Sequence, residues 1–222
     1  MQSGVVEIAS MLEFWPKLSE EERAHYLRNT TLMRYRAGQN IHGNAEECLG
    51  VLLVRSGGLR TYLLSEEGRE VTLYRLFPGD VCVLAASCIL ENIDFEVHID
   101  AEADSEVFLT SPAAYAVLQR QNLYVENFTY KVAADRFSDV MWAMQQILFM
   151  SFDRRLATFL IDELVRNGGD TVYLTHEQIA RYLGSAREVV SRMVKYFALE
   201  GLVEPLRGGI RVLDRAGLLA LT

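Results

Sequence analysis

One stretch near the C-terminus constrains this chain more than any other. In residues 173–204, YLTHEQIARYLGSAREVVSRMVKYFALEGLVE, Ala180 is followed four residues later by Gly184, and six residues after that by Val190. Two helices that meet through a tight turn need this set. A small residue lets the backbones approach, a glycine makes the turn, and a β-branched apolar residue packs the second helix on the first. Thr175-His176-Glu177-Gln178 has the form of a capping box and opens the first helix. Ser185-Ala186-Arg187-Glu188 has the Ser-x-x-Glu form immediately after the glycine, which places the start of the second helix near Ala186. The spacing predicts a helix-turn-helix.

The second helix sorts its side chains by face. Val189, Val190, Met193, Val194 and Phe197 form the apolar side, while Arg187, Glu188, Ser191 and Arg192, with Lys195 one turn later, stand on the other. A recognition helix offers its N-terminal residues to base edges in the major groove, where arginine donates to guanine and glutamate accepts from the cytosine amine. The alternative is a solvated charged face. A helix behind an Ala…Gly…Val turn favours recognition, with Thr175 and Ser185 at the helix starts as further candidates for the DNA surface. Downstream, Leu202-Val203 and Ile210-Arg211-Val212 flank Arg207-Gly208-Gly209 and read as a β-hairpin wing. Arg207 and Arg211 are then candidate phosphate contacts. A plain hairpin covering the helices is compatible with the same residues.

Charge agrees with this division. The whole chain carries a formal charge of −8, but residues 171–222 hold seven Lys/Arg against five Asp/Glu, and residues 1–170 hold fifteen against twenty-five. Only the C-terminal part suits a phosphate backbone.

Upstream the texture changes twice. Ser19-Glu20-Glu21-Glu22 starts a short helix reaching about Asn29. From Thr30 to about Thr110, the runs GVLLVRSG, LRTYLLS, EVTLYRLF, EVHIDAE and SEVFLT alternate with turn signals such as Ser56-Gly57-Gly58 and Pro78-Gly79-Asp80, which predicts an antiparallel roll or barrel. From Pro112 to Met150 the pattern is helical. Leu118, Val125, Phe128, Val132, Val140, Met144, Ile147 and Leu148 recur at helical spacing, over a length that exceeds what one small domain needs. A second copy of the chain is the expected partner, so this is read as a dimerisation helix. One long core helix, or two helices with a bend, is the alternative. SFDRRLATFLIDELVRNGG is a further helix, with Leu156, Phe159, Leu160 and Leu164 on one face and Asn167-Gly168-Gly169 as its stop. The expected α+β organisation is a β-roll sensor over 1–111, a dimerisation helix over 112–150 and a winged helix-turn-helix over 151–222. No run approaches a membrane span, and the first residues lack a basic segment followed by an apolar one, so a cytoplasmic protein is expected.

A roll, a long helix and then residues 173–204 together resemble the Crp–Fnr family of transcriptional regulators over essentially the whole chain. Arg187-Glu188 with Arg192 resembles the cyclic-AMP receptor branch, and Glu188 with Ser191-Arg192 resembles the fumarate–nitrate branch. The resemblance implies a cyclic-nucleotide-binding-like roll, a homodimer, a palindromic double-stranded DNA site with half-sites like TTGA or GTGA, RNA polymerase as a partner, and no enzymatic activity. No nucleophile–base pair or metal spacing points to an enzyme.

The sensor departs from the family pattern. Cyclic-nucleotide binders carry a Gly-Glu-Leu and then an Arg-Ser/Thr-Ala that hold ribose and phosphate. Here the stretch after Pro78-Gly79-Asp80 is VCVLAASCILENIDFEVHIDAEAD, with no arginine and with Glu91, Asp94 and Glu96. That speaks against cyclic AMP. The three cysteines, Cys48, Cys82 and Cys88, leave no N-terminal cluster for an iron–sulfur centre. Cys82 and Cys88 fall where family effector pockets lie. They are read either as small buried apolar residues or as a thiol switch. His42 and His98 are weak candidates for a metal or haem, and no metal site is expected. The effector stays unidentified.

Overall fold

The computed structural model describes residues 2–43, 49–83 and 97–222. These divide into two units, Met1–Leu63 with Leu73–Val140, and Leu64–Thr72 with Met141–Thr222. No helix among the described residues is long and apolar enough to cross a membrane.

The first unit begins with α1 (Gln2–Met11) and α2 (Glu20–Arg28). Ser19 caps α2 as its sequence predicts, its hydroxyl accepting from the Glu22 N–H at 3.2 Å and its own N–H donating to the Glu22 carboxylate at 2.7 Å. Among the described residues the strands that follow are β1 (Thr30–Tyr35), β2 (Asn40–His42), β3 (Val51–Ser56), β4 (Leu59–Leu64), β5 (Glu70–Leu76), β6 (Val81–Cys82), β7 (His98–Ala101) and β8 (Ser105–Thr110). They form two four-stranded sheets, β1-β8-β3-β6 and β2-β7-β4-β5. The expected roll is present.

Strand periodicity builds its two layers. On β3, Leu52 and Val54 point into the cluster with Leu59, Leu76, Cys82, Ile99 and Val107. Val51 and Leu53, one residue out of phase, join Ile8, Phe14, Trp15, Tyr26, Tyr115 and Val125 beneath the helices. A strand buried on both faces reads as a continuous apolar run, and VLLV is one. The β3–β4 turn is made by Gly57 at φ +84°, where a Cβ would lie 2.3 Å from the Ser105 hydroxyl oxygen, so only glycine fits.

The helical stretch after the roll is two helices, α3 (Pro112–Gln121) and α4 (Leu123–Phe149). Asn122 interrupts it in an extended conformation. Its side-chain carbonyl accepts from the Tyr124 N–H at 3.0 Å, and its amide donates to the Glu22 carboxylate at 3.0 Å. Asparagine competes well with helical backbone for such bonds, and here α2 supplies an extra acceptor.

The second unit contains α5 (Phe152–Asn167), β9 (Thr171–Val172), α6 (His176–Tyr182), α7 (Arg187–Leu199), β10 (Val203–Leu206), β11 (Gly209–Val212) and α8 (Arg215–Leu219). Gly168, at φ +72°, ends α5. Leu156, Leu160 and Leu164 of α5 meet Ile179, Val190, Val194, Phe197, Val203 and Ile210 in one core. The hairpin β10–β11 is widened to three strands by β9, in the order β10-β11-β9.

Candidate nucleic-acid interface

The turn between α6 and α7 has the anticipated construction. Ala180 and Val190 are buried, and Gly184 sits at φ +57° against Glu70 and Val71. Thr175 caps α6 through a complete box, its hydroxyl accepting from the Gln178 N–H at 3.2 Å and its N–H donating to the Gln178 side chain at 2.8 Å.

The second capping box does not form. Ala186 is the N-cap of α7, without a side-chain cap bond, and Arg187 is the first helical residue. The helix thus begins one residue too late for Ser185 and Glu188 to hold the cap and third positions. The Ser185 N–H donates instead to the Ala180 carbonyl at 2.9 Å, closing the end of α6. Glu188 is therefore not consumed as a cap and stands exposed.

Arg187, Glu188, Arg192 and Lys195 are all exposed on α7 and Ser191 is half-buried, while Val190, Val194 and Phe197 fill the core behind them. Among the described residues, Arg187, Arg192, Lys195 and Arg207 enter no intramolecular ion pair. An exposed cation without a protein partner is available to a phosphate or a guanine edge. Burial, and then the charge of Arg187, hold the His176 imidazole at the start of α6 below its usual pKa.

In the wing, Leu206 pairs with Gly209 across a two-residue turn, Arg207-Gly208, with Gly208 at φ +82°. Arg207 therefore stands at the tip. Arg211 lies on β11 and is already engaged, 3.1 Å from the Glu204 carboxylate and 3.8 Å from that of Asp170. A phosphate contact by Arg211 would compete with both acids.

Of the two candidate sensor cysteines, Cys82 lies in the first unit. Cys82 is fully buried on β6, 4.0 Å from the Tyr74 hydroxyl. A thiol in that setting packs as a small apolar group and is reached by an oxidant only if the roll opens. Cys48, Cys88, Glu91, Asp94 and Glu96 lie outside the described residues. His98 is stacked on Tyr62 with centroids 5.2 Å apart, and Arg60 covers the Tyr62 ring at 4.1 Å.

Sequence reasoning missed Arg136. The stretch after Asp80 has no arginine, yet α4 delivers one to the roll. The Arg136 guanidinium lies over the Tyr74 ring at 5.1 Å, 2.8 Å from Asp139 and 3.7 Å from Asp80. Its charge is thus shared by two carboxylates. Helical spacing alone gives no sign of which strand Arg136 faces.

The apolar faces of α4 were also only half legible. Val125, Phe128 and Val132 pack against the first unit's own core. A separate line, Leu123, Asn127, Tyr130, Ala134, Phe137, Met141, Met144 and Leu148, is exposed throughout. Its steps alternate four and three, the seven-residue repeat of a coiled-coil seam.

Residues 154–221 match the model of the Crp-like helix-turn-helix domain. A solved structure assigned to the Crp/Fnr family of transcriptional regulators, from Eubacterium rectale, is 43% identical. It covers 96% of this chain and 98% of its own, with a TM-score of 0.91. The transcriptional activator protein FnrA of Stutzerimonas stutzeri is 26% identical, across 83% of this chain and 77% of its own. The cyclic AMP receptor protein of Thermus thermophilus is 25% identical, across 82% and 83%.

Proposed function

The chain belongs to the Crp–Fnr family of DNA-binding transcriptional regulators, and on that premise we propose that it works as a twofold dimer reading an inverted-repeat operator with α7. The observation that carries this reading is the pairing of an exposed Arg187-Glu188…Arg192 face with a buried Ala180–Gly184–Val190 joint. The joint fixes the helix and leaves the polar face unspent.

Glu188 accepts from a cytosine amine and Arg192 donates to a guanine. Arg187 takes a guanine or a phosphate, Ser191 meets a thymine edge, and Lys195 and Arg207 hold phosphates. Thr175 and Ser185 line the same surface, and Arg211 contributes once it is released from Glu204. The exposed seam of α4 supports dimerisation, and Asn127 gives it a polar layer of the kind that fixes register. Residues 1–111 then serve as the sensor, 112–150 as the dimer helix and 151–222 as the reader. RNA polymerase is the expected protein partner. The signal is a small molecule or a redox change in the roll, with Cys82 and Cys88 as the thiol candidates. A neutral or weakly charged ligand suits the Arg136 environment, where Asp80 and Asp139 already balance the cation. A non-DNA-binding sensor or an enzyme in the roll is not favoured.

The test is binding of Glu188→Ala, Arg192→Ala and Lys195→Ala to singly substituted operators at several salt concentrations. The first two are expected to lose about 1–3 kcal/mol at one base pair each and to relax the preference there. Lys195→Ala should weaken all sequences alike and reduce the salt slope by about one. Arg192→Ala that kept the wild-type ranking of operators would remove Arg192 from the base readers.

A further inference from the structure

The second unit includes one segment from far outside the helix-turn-helix sequence, Leu64–Thr72. This is the tip of the β4–β5 hairpin, and it lies against the α6–α7 turn. The Arg69 guanidinium donates to the Gly184 carbonyl. The Thr72 hydroxyl donates to the Arg181 carbonyl at 3.3 Å. Glu70 and Val71, in the same unit, lie against the glycine, since a Cβ on Gly184 would be 3.2 Å from Val71 Cγ2 and 3.6 Å from the Glu70 carbonyl oxygen.

These contacts complete the end of α6. A helix leaves its last carbonyls without internal partners. Here Ile179 and Ala180 are satisfied by the N–H groups of Leu183 and Ser185. Arg181 receives Thr72, Leu183 receives Arg155 Nη1 at 2.9 Å, and Gly184 receives Arg69. Two guanidiniums at a helix C-terminus also suit its partial negative charge. Arg69 is itself held in place. Its N–H donates to the Ser65 hydroxyl at 3.0 Å, and its carbonyl accepts from the Ser65 N–H at 2.9 Å.

Gly184 is two residues before the Ala186 N-cap, and that cap has no side-chain bond of its own. The core behind α7 holds its body, and the contacts on Gly184 bear on the direction in which its first turn leaves the joint. We propose that Arg69, seconded by Thr72, is a positioning residue for DNA recognition: it fixes the carbonyl from which the recognition helix is launched. This rests on the reading of α7 as the base-reading helix. Arg69 touches no base in this role. It acts through Gly184 on the placement of Arg187, Glu188 and Arg192.

The test begins with a duplex selected from a random pool by the wild-type protein, and a scrambled duplex of the same composition. Affinity for both is measured by fluorescence anisotropy across a salt series. Arg69→Ala is expected to bind the selected duplex about tenfold more weakly, the scale of one lost charge-assisted hydrogen bond. Its affinity for the scrambled duplex and its salt slope should stay as in wild type. Arg69→Lys, which keeps a cationic donor, should recover most of the loss. Wild-type affinity for both duplexes in Arg69→Ala overturns the proposal. So does an equal loss on both with the salt slope reduced by about one, which marks a direct phosphate contact. If Arg69→Ala does not fold by circular dichroism, Thr72→Val is read in the same assay, where an unchanged ratio of specific to scrambled affinity overturns the proposal and a reduced one supports it. If wild type selects no duplex at all, the base-reading assignment fails and this proposal with it. If wild type selects one and Arg69→Ala is silent, only the positioning role fails.

Discussion

Phe137→Ala isolates the α4 seam from the folded core. Phe137 is 66% exposed within one chain, so truncating it removes little intramolecular packing. A phenylalanine side chain offers roughly 150–250 Å² for burial. The share left for a partner is then roughly 100–160 Å² per protomer, worth about 2.5–4 kcal/mol at about 25 cal/mol per Å². Alanine keeps part of that contact, and a partner helix covers only part of the ring. A twofold axis applies the loss twice, which leaves about 3–5 kcal/mol per dimer. The dimer dissociation constant should therefore rise by about a hundredfold to several thousandfold. Sedimentation velocity over a concentration series measures it, and operator affinity at nanomolar protein should fall with it. Thermal melting should lose its concentration dependence while the melt of the monomer stays as it was. A dissociation constant equal to that of wild type would show that α4 does not pair through this face. A monomer melting as far below wild type as a core variant would show that Phe137 packs within its own chain.

Two further outcomes are expected. Burial raises the Tyr26 hydroxyl from 10.0 to about 12, and Tyr115 in the same way. A raised folded value stabilises the neutral form, so this contribution is complete below pH 10 and is lost as pH climbs through about 12. Urea unfolding followed between pH 8 and 12 should show the roll weakening by about 2–3 kcal/mol for Tyr26 alone, and constant stability across that window would refute the burial argument. Calorimetry with cyclic AMP should give no tight binding, because a phosphate would have to displace Asp80 or Asp139 from Arg136; a micromolar or tighter isotherm would refute it.

The features legible from the order of residues are local. Ala180, Gly184 and Val190 could be read directly, because a tight turn between two helices imposes its demands within eleven residues. The Ser19 and Thr175 caps depend on residues three apart and formed as their spacing requires. The β3 strand was legible because an unbroken apolar run of four has few other uses. Whatever depends on partners distant in the chain emerged only on folding. The Ser185 cap looked equal to the Ser19 cap, yet the end of α6 took the Ser185 N–H and moved the start of α7 by one residue. Asn122 broke a helix whose periodicity runs on without a fault, because α2 offered its amide an acceptor. Periodicity showed that α4 is apolar on more than one side, but it could not say which residues face its own roll. Arg136 and Arg69 carry no local signal at all. Each gains its role from a surface brought to it by folding, Tyr74 and Asp80 for one and the Gly184 carbonyl for the other. A pattern along the chain records periodicity and turn chemistry, whereas a long side chain's partner is fixed only once the backbone has closed around it.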